Sequence, residues 1–365
     1  MIREHAVSIR GKSHIQSGTV CQDAYRILTL PNGQKVAAVA DGVGSAKCAE
    51  RGSQIAVRIV TDFIAENYPI DKSPISIKSM LRTAYNRALI EIQKEANRNH
   101  NSMSDYDTTL MVTIFDGKRG YYAHVGDGAI IGLKTDGSYT EISQYQNVDG
   151  RVIPLRAGYE YWRIDEIKEP LVSILIATDG MADQFKNSNL EQGFYVPLLM
   201  LFADPYCIQY QKRKGVNIAK VVTHGQSGYN KTLINALYHT LYRNYHLNRF
   251  TCNKIVGDVM RNGTPFELLR KIQDDKTFVC LYNTVAFPKA QGLQYYAEPD
   301  WKQVTANLQK RLYPSMFEES KPVKQEETEQ PQPLHSTPIE KVKSNTASST
   351  DELMTKIMLR IRKNE

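Results

Sequence analysis

Val36-Ala37-Ala38-Val39-Ala40-Asp41-Gly42 is an apolar run that stops abruptly at a carboxylate and a glycine. Small and branched apolar residues without polar alternation read as a strand buried on both faces, and Asp-Gly as its end. The signature returns downstream. Leu171–Ala177 closes on Thr178-Asp179-Gly180, and Asp274-Asp275-Lys276-Thr277 leads into the apolar run 278–282. Asp23, in Gln22-Asp23-Ala24-Tyr25, stands directly before the apolar stretch 27–30. Carboxylates at strand ends, drawn from distant parts of a chain, can converge on one rim of a sheet. Once converged they repel, and their burial is costly unless cations neutralise them. Oxygen ligands completed by water suit Mg²⁺ and Mn²⁺, and two such ions can activate a water and polarise a phosphoryl oxygen.

Around these strands the periodicity changes. Ile55, Ile59, Phe63 and Ile64 recur at helical spacing within 46–68, and Ile77, Leu81, Ala84, Ala88 and Ile92 do so within 76–97. Both predict amphipathic helices covering a sheet. The stretch 109–142 holds short β-rich runs at Leu110–Phe115, Gly120–Val125 and 129–133, separated by Asp116-Gly117, Asp127-Gly128 and Asp136-Gly137. Asp-Gly between such runs is a hairpin signal, so an antiparallel meander is expected. Asp116 and Asp136 are assigned to turns; Asp41-Gly42, taken alone, is open between turn and ligand. Helix pairs alternating with antiparallel strands place the chain in the α+β class.

Composition bounds the rest. The chain has 365 residues, 41% of them apolar, enough for one large domain with additions. Residues 186–265 read as a mostly helical insertion carrying Tyr206, Tyr210, Tyr229, Tyr238, Tyr242 and Tyr245, with a basic cluster at Lys212-Arg213-Lys214. Residues 318–350 shift to Glu, Lys, Pro, Gln, Ser and Thr, which cannot bury enough surface to offset ordering entropy, and read as a disordered linker. Ser349-Thr350-Asp351-Glu352 is a capping-box pattern opening a basic amphipathic helix over 351–365. That helix is open between packing on its own domain and contact with a partner or an acidic membrane surface. Cys21, Cys48, Cys207, Cys252 and Cys280 are an odd, scattered set without a metal-site spacing. With no apolar leader and no span long enough for a membrane, they point to the cytoplasm. A net charge of +7 could attract phosphorylated partners, but no nucleic-acid-binding signature accompanies it, so no nucleic acid is expected.

Six stretches, in order, carry a resemblance: Gly11-Lys12-Ser13-His14 through Cys21-Gln22-Asp23-Ala24; Val39-Ala40-Asp41-Gly42-Val43-Gly44; Asp107-Thr108-Thr109-Leu110; His124-Val125-Gly126-Asp127-Gly128; Ala177-Thr178-Asp179-Gly180-Met181-Ala182-Asp183; and Asp274-Asp275-Lys276-Thr277. Across about residues 5–283 the chain resembles the metal-dependent protein phosphatases, the type 2C or PPM family, in its bacterial-type branch. The resemblance implies a four-layer αββα sandwich of two antiparallel sheets flanked by helices, forming a phosphatase domain over 1–317. It implies hydrolysis of phosphoserine or phosphothreonine in a phosphorylated protein substrate, within a signalling system that includes a Ser/Thr kinase. Asp41 would bridge two catalytic Mn²⁺ or Mg²⁺ ions, with the Gly42 carbonyl as a further ligand, and Asp179 and Asp274 would complete the coordination of the first of the two ions. Asp127 and Asp183 match the pair that holds a third, weaker ion. Asp23 would act through metal-bound water, and a bridging hydroxide would attack phosphorus without a phosphoenzyme. The 186–265 insertion occupies the position of the family's flap.

Three positions depart from the family pattern. Gln22 stands where Glu is common, Gly18 where an Arg often grips the substrate phosphate, and Val43 where many eukaryotic members have His. His14 and Lys12 are the candidates for the phosphate contact, with a structural hydrogen bond as the alternative for His14. Gln22 and Gly18 motivate a second reading, a pseudophosphatase that binds phosphopeptides or regulates without turnover. A third, aspartyl phosphotransfer of the haloacid-dehalogenase type, needs a second Asp that Asp41-Gly42-Val43 lacks.

Overall fold

Along the strand Lys35–Asp41 (β3), Val36, Ala38 and Ala40 belong to one core cluster, and Ala37 and Val39 to another. That parity follows from the alternation of side chains along extended backbone. The first cluster unites β3 with Ile55, Val60, Ile64 and Leu81 of two helices. The second unites it with Ile130, Ile174, Ile176, Val279 and Leu281 of other strands. Asp41 continues the second face, so the chain's alternation delivers a carboxylate to the end of the layer between two sheets.

The computed structural model describes residues 1–204 and 272–314, apart from residues 70, 72, 149, 290, 297 and 298. The other strands are β1 Ile2–Ile9, β2 Asp23–Thr29, β4 Leu110–Phe115, β5 Gly120–Val125, β6 Ala129–Lys134, β7 Tyr139–Ser143, β8 Asn147–Val148, β9 Arg151–Val152, β10 Arg163–Ile167, β11 Leu171–Ala177 and β12 Lys276–Asn283. The helices are α1 Lys12–Ser17, α2 Ala49–Asn67, α3 Pro74–Arg98, α4 Asp179–Phe185, α5 Val196–Ala203 and α6 Trp301–Leu312. One five-stranded sheet has the order β1-β12-β11-β6-β7, the other β10-β5-β4-β3-β2, and every pairing within them is antiparallel. Helices α2 and α3 cover the second sheet, and rings of Phe185 and Phe202 from α4 and α5 pack on Phe278 of the first. The expected four-layer α+β sandwich is thus the architecture observed. Among the described residues, no helix is long and apolar enough to cross a membrane.

Local chemistry explains the element ends. Ser73 caps α3 by accepting the Ser76 N–H, with Pro74 in the first turn, where its missing N–H costs nothing. Strand β1 was not anticipated. It is an edge strand with a mixed pattern, and His5 faces inward, its Nε2 2.7 Å from the Phe202 carbonyl. Burial lowers the His5 pKa to about 4, so the ring packs neutral at physiological pH.

The expected meander over 109–142 is corrected. Strands β4 and β5 form one hairpin and β6 and β7 another, but β5 and β6 lie in different sheets. The glycines tell the Asp-Gly pairs apart. Gly117 and Gly137 have φ of 96° and 87°, as tight turns require, and Asp116 and Asp136 accept nearby backbone N–H groups. Gly128 is not in the left-handed region. It is small because a Cβ there would lie 2.5 Å from the Ala177 carbonyl oxygen and 2.3 Å from Met111 Cε. Asp127-Gly128 is the crossover between sheets. Residues 205–265 of the expected insertion, its six tyrosines and basic cluster, the 318–350 linker and the 351–365 helix lie outside the described residues.

Because the Ala177 oxygen is backbone and cannot swing aside, Gly128→Ala should destabilise the fold by about 2 kcal/mol in urea titration. An unchanged midpoint would contradict the tight crossover.

Candidate functional site

Asp23 and Asp41 are direct partners across the β2–β3 ladder. Like charges in that arrangement weaken a sheet, so the pair is costly by itself. The backbone around Asp41 is held on both sides. Its N–H donates to Thr109 Oγ1 at 2.9 Å, and its carbonyl accepts from Thr109 N and Thr108 Oγ1, each at 2.8 Å. Gly42 follows because a Cβ would meet the Ala49 carbonyl oxygen at 2.5 Å, and its N–H donates to the Gln22 carbonyl at 3.1 Å. Asp23 is only 7% exposed, and its Oδ2 accepts from Thr178 Oγ1 at 2.9 Å. That bond ties the mouth of one sheet to the other.

Asp127 arrives from the β5–β6 crossover and Asp179 from the junction of β11 with α4. One carboxylate oxygen each from Asp41, Asp127 and Asp179 lie within 4.8 Å of one another. A cavity of about 240 Å³ opens over them, and Asp274, Gly42, Gln22 and His14 also line it. The structure therefore brings together Asp41, Gly42, Asp127, Asp179, Asp274 and His14. Asp23 lies behind this wall. Asp183 is exposed on α4, one turn beyond Asp179, and Lys12 is exposed; neither lines the cavity. Gln22 is 7% exposed, and its Oε1 is buried with no hydrogen-bond partner in the protein.

The electrostatics are those of crowded anions. Burial, with the charges of Asp23, Asp179 and Asp274, holds the Asp41 pKa well above the usual carboxylate range. Burial pushes Asp23 up to about 8, with Asp275 and Asp179 adding to it. Burial and the neighbouring Asp179 push Asp127 up to about 7. Asp179 is raised by burial first and by Asp274 as well. An all-oxygen, anionic donor set with an orphaned amide oxygen beside it fits hard divalent cations. Without them, protons must substitute.

Two contributors lay outside the sequence expectations. Thr109 clamps Asp41, and the buried carboxylate of Asp275 accepts the Gly11 and Gln22 N–H groups at 2.6 Å each; neither residue has a role of its own in the sequence pattern. A signal for Asp275 existed: its parity with Val279 and Leu281 puts it on the inter-sheet face.

The raised values give a pH dependence with a definite sign. Folded Asp23 and Asp127 keep protons that the unfolded chain has lost, so stability falls as pH rises from about 4 toward about 8. With divalent ions removed by chelator, the melting temperature should drop by roughly 5 °C or more between pH 5 and pH 8. A flat or rising profile would contradict the crowding of unneutralised charge.

Comparison with curated proteins returns no match. Among solved structures, the Mycobacterium tuberculosis serine/threonine phosphatase PstP/Ppp is similar at 16% identity and TM-score 0.45, covering 77% of this chain and 98% of its own. Serine/threonine phosphatase Stp1 from Staphylococcus aureus is similar at 13% identity and TM-score 0.43, covering 77% and 95%. The catalytic domain of serine/threonine protein phosphatase PstP, in complex with 2 manganese ions, is similar at 16% identity and TM-score 0.43, covering 77% and 97%. A family model described as protein phosphatase 2C matches residues 10–210, more than half of the chain. On that match, with the expected motifs and architecture in place, the chain belongs to the protein phosphatase 2C family.

Proposed function

We propose that this chain hydrolyses phosphoserine or phosphothreonine in protein substrates, using Mn²⁺ or Mg²⁺ held by its clustered aspartates. The observation that carries the reading is the meeting of Asp41, Asp127 and Asp179 within 4.8 Å, from three separate strand ends, in a protein phosphatase 2C chain. Bound cations would supply an activated water and neutralise phosphoryl charge. Asp41, the Gly42 carbonyl, Asp179 and Asp274 are assigned to the two catalytic ions, and Asp127 with Asp183 to a third. Asp127 also stands beside Asp41 and Asp179, so occupancy of the third position should influence the other two.

The chain's own residues set the remaining roles. Asp23, anchored by Thr178 behind the wall, orients water and does not touch an ion directly. His14 contacts the substrate phosphate where Gly18 supplies no side chain; Gly18 has φ 76° and ends α1 in the left-handed conformation. Water attacks phosphorus in line as the bond to the serine or threonine oxygen breaks, that oxygen leaves as a hydroxyl carrying one of the water's protons, and no phosphoenzyme forms. Three described cysteines, Cys21, Cys48 and Cys280, are free thiols, which suits a reducing cytoplasm. A Ser/Thr kinase system is the partner class that would supply the phosphorylated substrate.

The test is hydrolysis of a phosphothreonine peptide with millimolar Mn²⁺. Asp41→Asn and Asp179→Asn should lower kcat about a thousandfold or more, with the far-UV circular dichroism unchanged. Asp127→Asn should raise the Mn²⁺ needed for half-maximal rate about tenfold while kcat stays within about threefold. Near-native turnover by Asp41→Asn would overturn the ligand assignment. A wild-type chain that binds the peptide without turnover would favour the binding-module reading raised by Gln22 and Gly18.

A further inference from the structure

Two segments far apart in sequence, residues 11–22 and 272–275, meet on a single side chain. Asp275 is 1% exposed. Its Oδ1 accepts the Gly11 N–H and its Oδ2 the Gln22 N–H, each at 2.6 Å, and His14 Nδ1 lies 3.0 Å from Oδ2. The contact continues along the backbone: Lys12 N–H donates to the Ile272 carbonyl at 3.3 Å, and Ser13 N–H to the Gln273 carbonyl at 3.0 Å. A Cβ on Gly11 would lie 2.3 Å from the carbonyl carbon of Asp274, so the two segments touch main chain to main chain.

Helix α1 has no buried residue. Apolar packing therefore does not hold it, and its place is set by these polar contacts at its N-terminal end. His14, which rides on α1, is the sole basic side chain among the described residues lining the cavity; Asp41, Asp127, Asp179 and Asp274 line it too. A phosphorylated side chain entering an acidic cavity needs hydrogen-bond donors as well as cations. A protonated imidazole donates from both nitrogens. His14 Nδ1 stands 3.0 Å from Asp275 Oδ2 without hydrogen-bond alignment, a contact that becomes an ion pair on an imidazolium, and Nε2 is left for a phosphoryl oxygen.

We propose that Asp275 is a positioning residue, which fixes the His14 ring at the cavity wall so that it donates to the phosphoryl group of the substrate. This rests on the reading of the cavity as the phosphatase site. Its action goes through His14, so the two residues form one unit and not two independent supports. A residue that merely braced the fold would change stability without coupling to His14 in substrate affinity.

The experiment is steady-state kinetics on the full chain with Mn²⁺ and a phosphothreonine peptide, for wild type, Asp275→Asn, His14→Ala, the double variant and Asp41→Asn. Asp275→Asn and His14→Ala should each raise KM about tenfold with kcat within about threefold, and the double variant should resemble either single one. An unchanged KM in His14→Ala, or effects that multiply to about a hundredfold in the double variant, would overturn the proposal. If Asp275→Asn does not fold, nitrogen-15 spectra of wild-type histidine, with His14 assigned by its loss in His14→Ala, decide instead. An Nδ1 proton paired with the Asp275 carboxylate is expected, and an Nδ1 without a proton overturns the proposal. A wild-type chain without Mn²⁺-dependent turnover would overturn the phosphatase reading and this proposal with it, whereas turnover that Asp41→Asn abolishes, without the Asp275–His14 coupling, overturns this proposal alone.

Discussion

Negative charge held at the end of the layer between two sheets is the constraint on which this structure turns. Asp23 and Asp41 stand opposite each other on adjacent strands, and Asp127 and Asp179 are delivered to the same place by a sheet crossover and a strand–helix junction. No arrangement selected for stability alone would gather them, because burial and mutual repulsion both oppose ionisation. The surroundings are correspondingly rigid. Thr109 and Thr108 fix the backbone of Asp41, Thr178 fixes Asp23, and Gly42, Gly128 and Gly180 allow main chain to approach main chain where no side chain would fit.

The core makes this placement possible. Alternate residues of β3, β4, β11 and β12 fill the inter-sheet layer, so the residue that follows the last apolar one on that face emerges at the layer's mouth. The crossover between β5 and β6 moves the chain from one sheet to the other at the point where Asp127 is needed. A hairpin there would have kept both strands in one sheet. Strand parity thus places Asp41, while the crossover and the strand–helix junction bring Asp127 and Asp179 to it.

Much of this was legible in the residues. Apolar runs leading into Asp-Gly marked β3 and β11, and their helical neighbours declared themselves by 3.6-residue spacing. The two turn aspartates, Asp116 and Asp136, were separable from the site aspartates because β-rich runs flank them closely on both sides. Asp127 was harder: it has the same local context, and only the geometry reveals a glycine required for close approach and not for positive φ. Asp274 and Asp275 are adjacent and chemically identical, so composition does not say which is exposed at the rim and which is the buried clamp. Strand β1 was hidden because an edge strand needs only a partial apolar face, and its inward histidine reads as polar.

Crystals grown in millimolar manganese and measured at the manganese absorption edge would test the central claim most directly. The account predicts anomalous density bonded to the carboxylates of Asp41 and Asp179. Well-ordered carboxylates with no anomalous peak among them would contradict it.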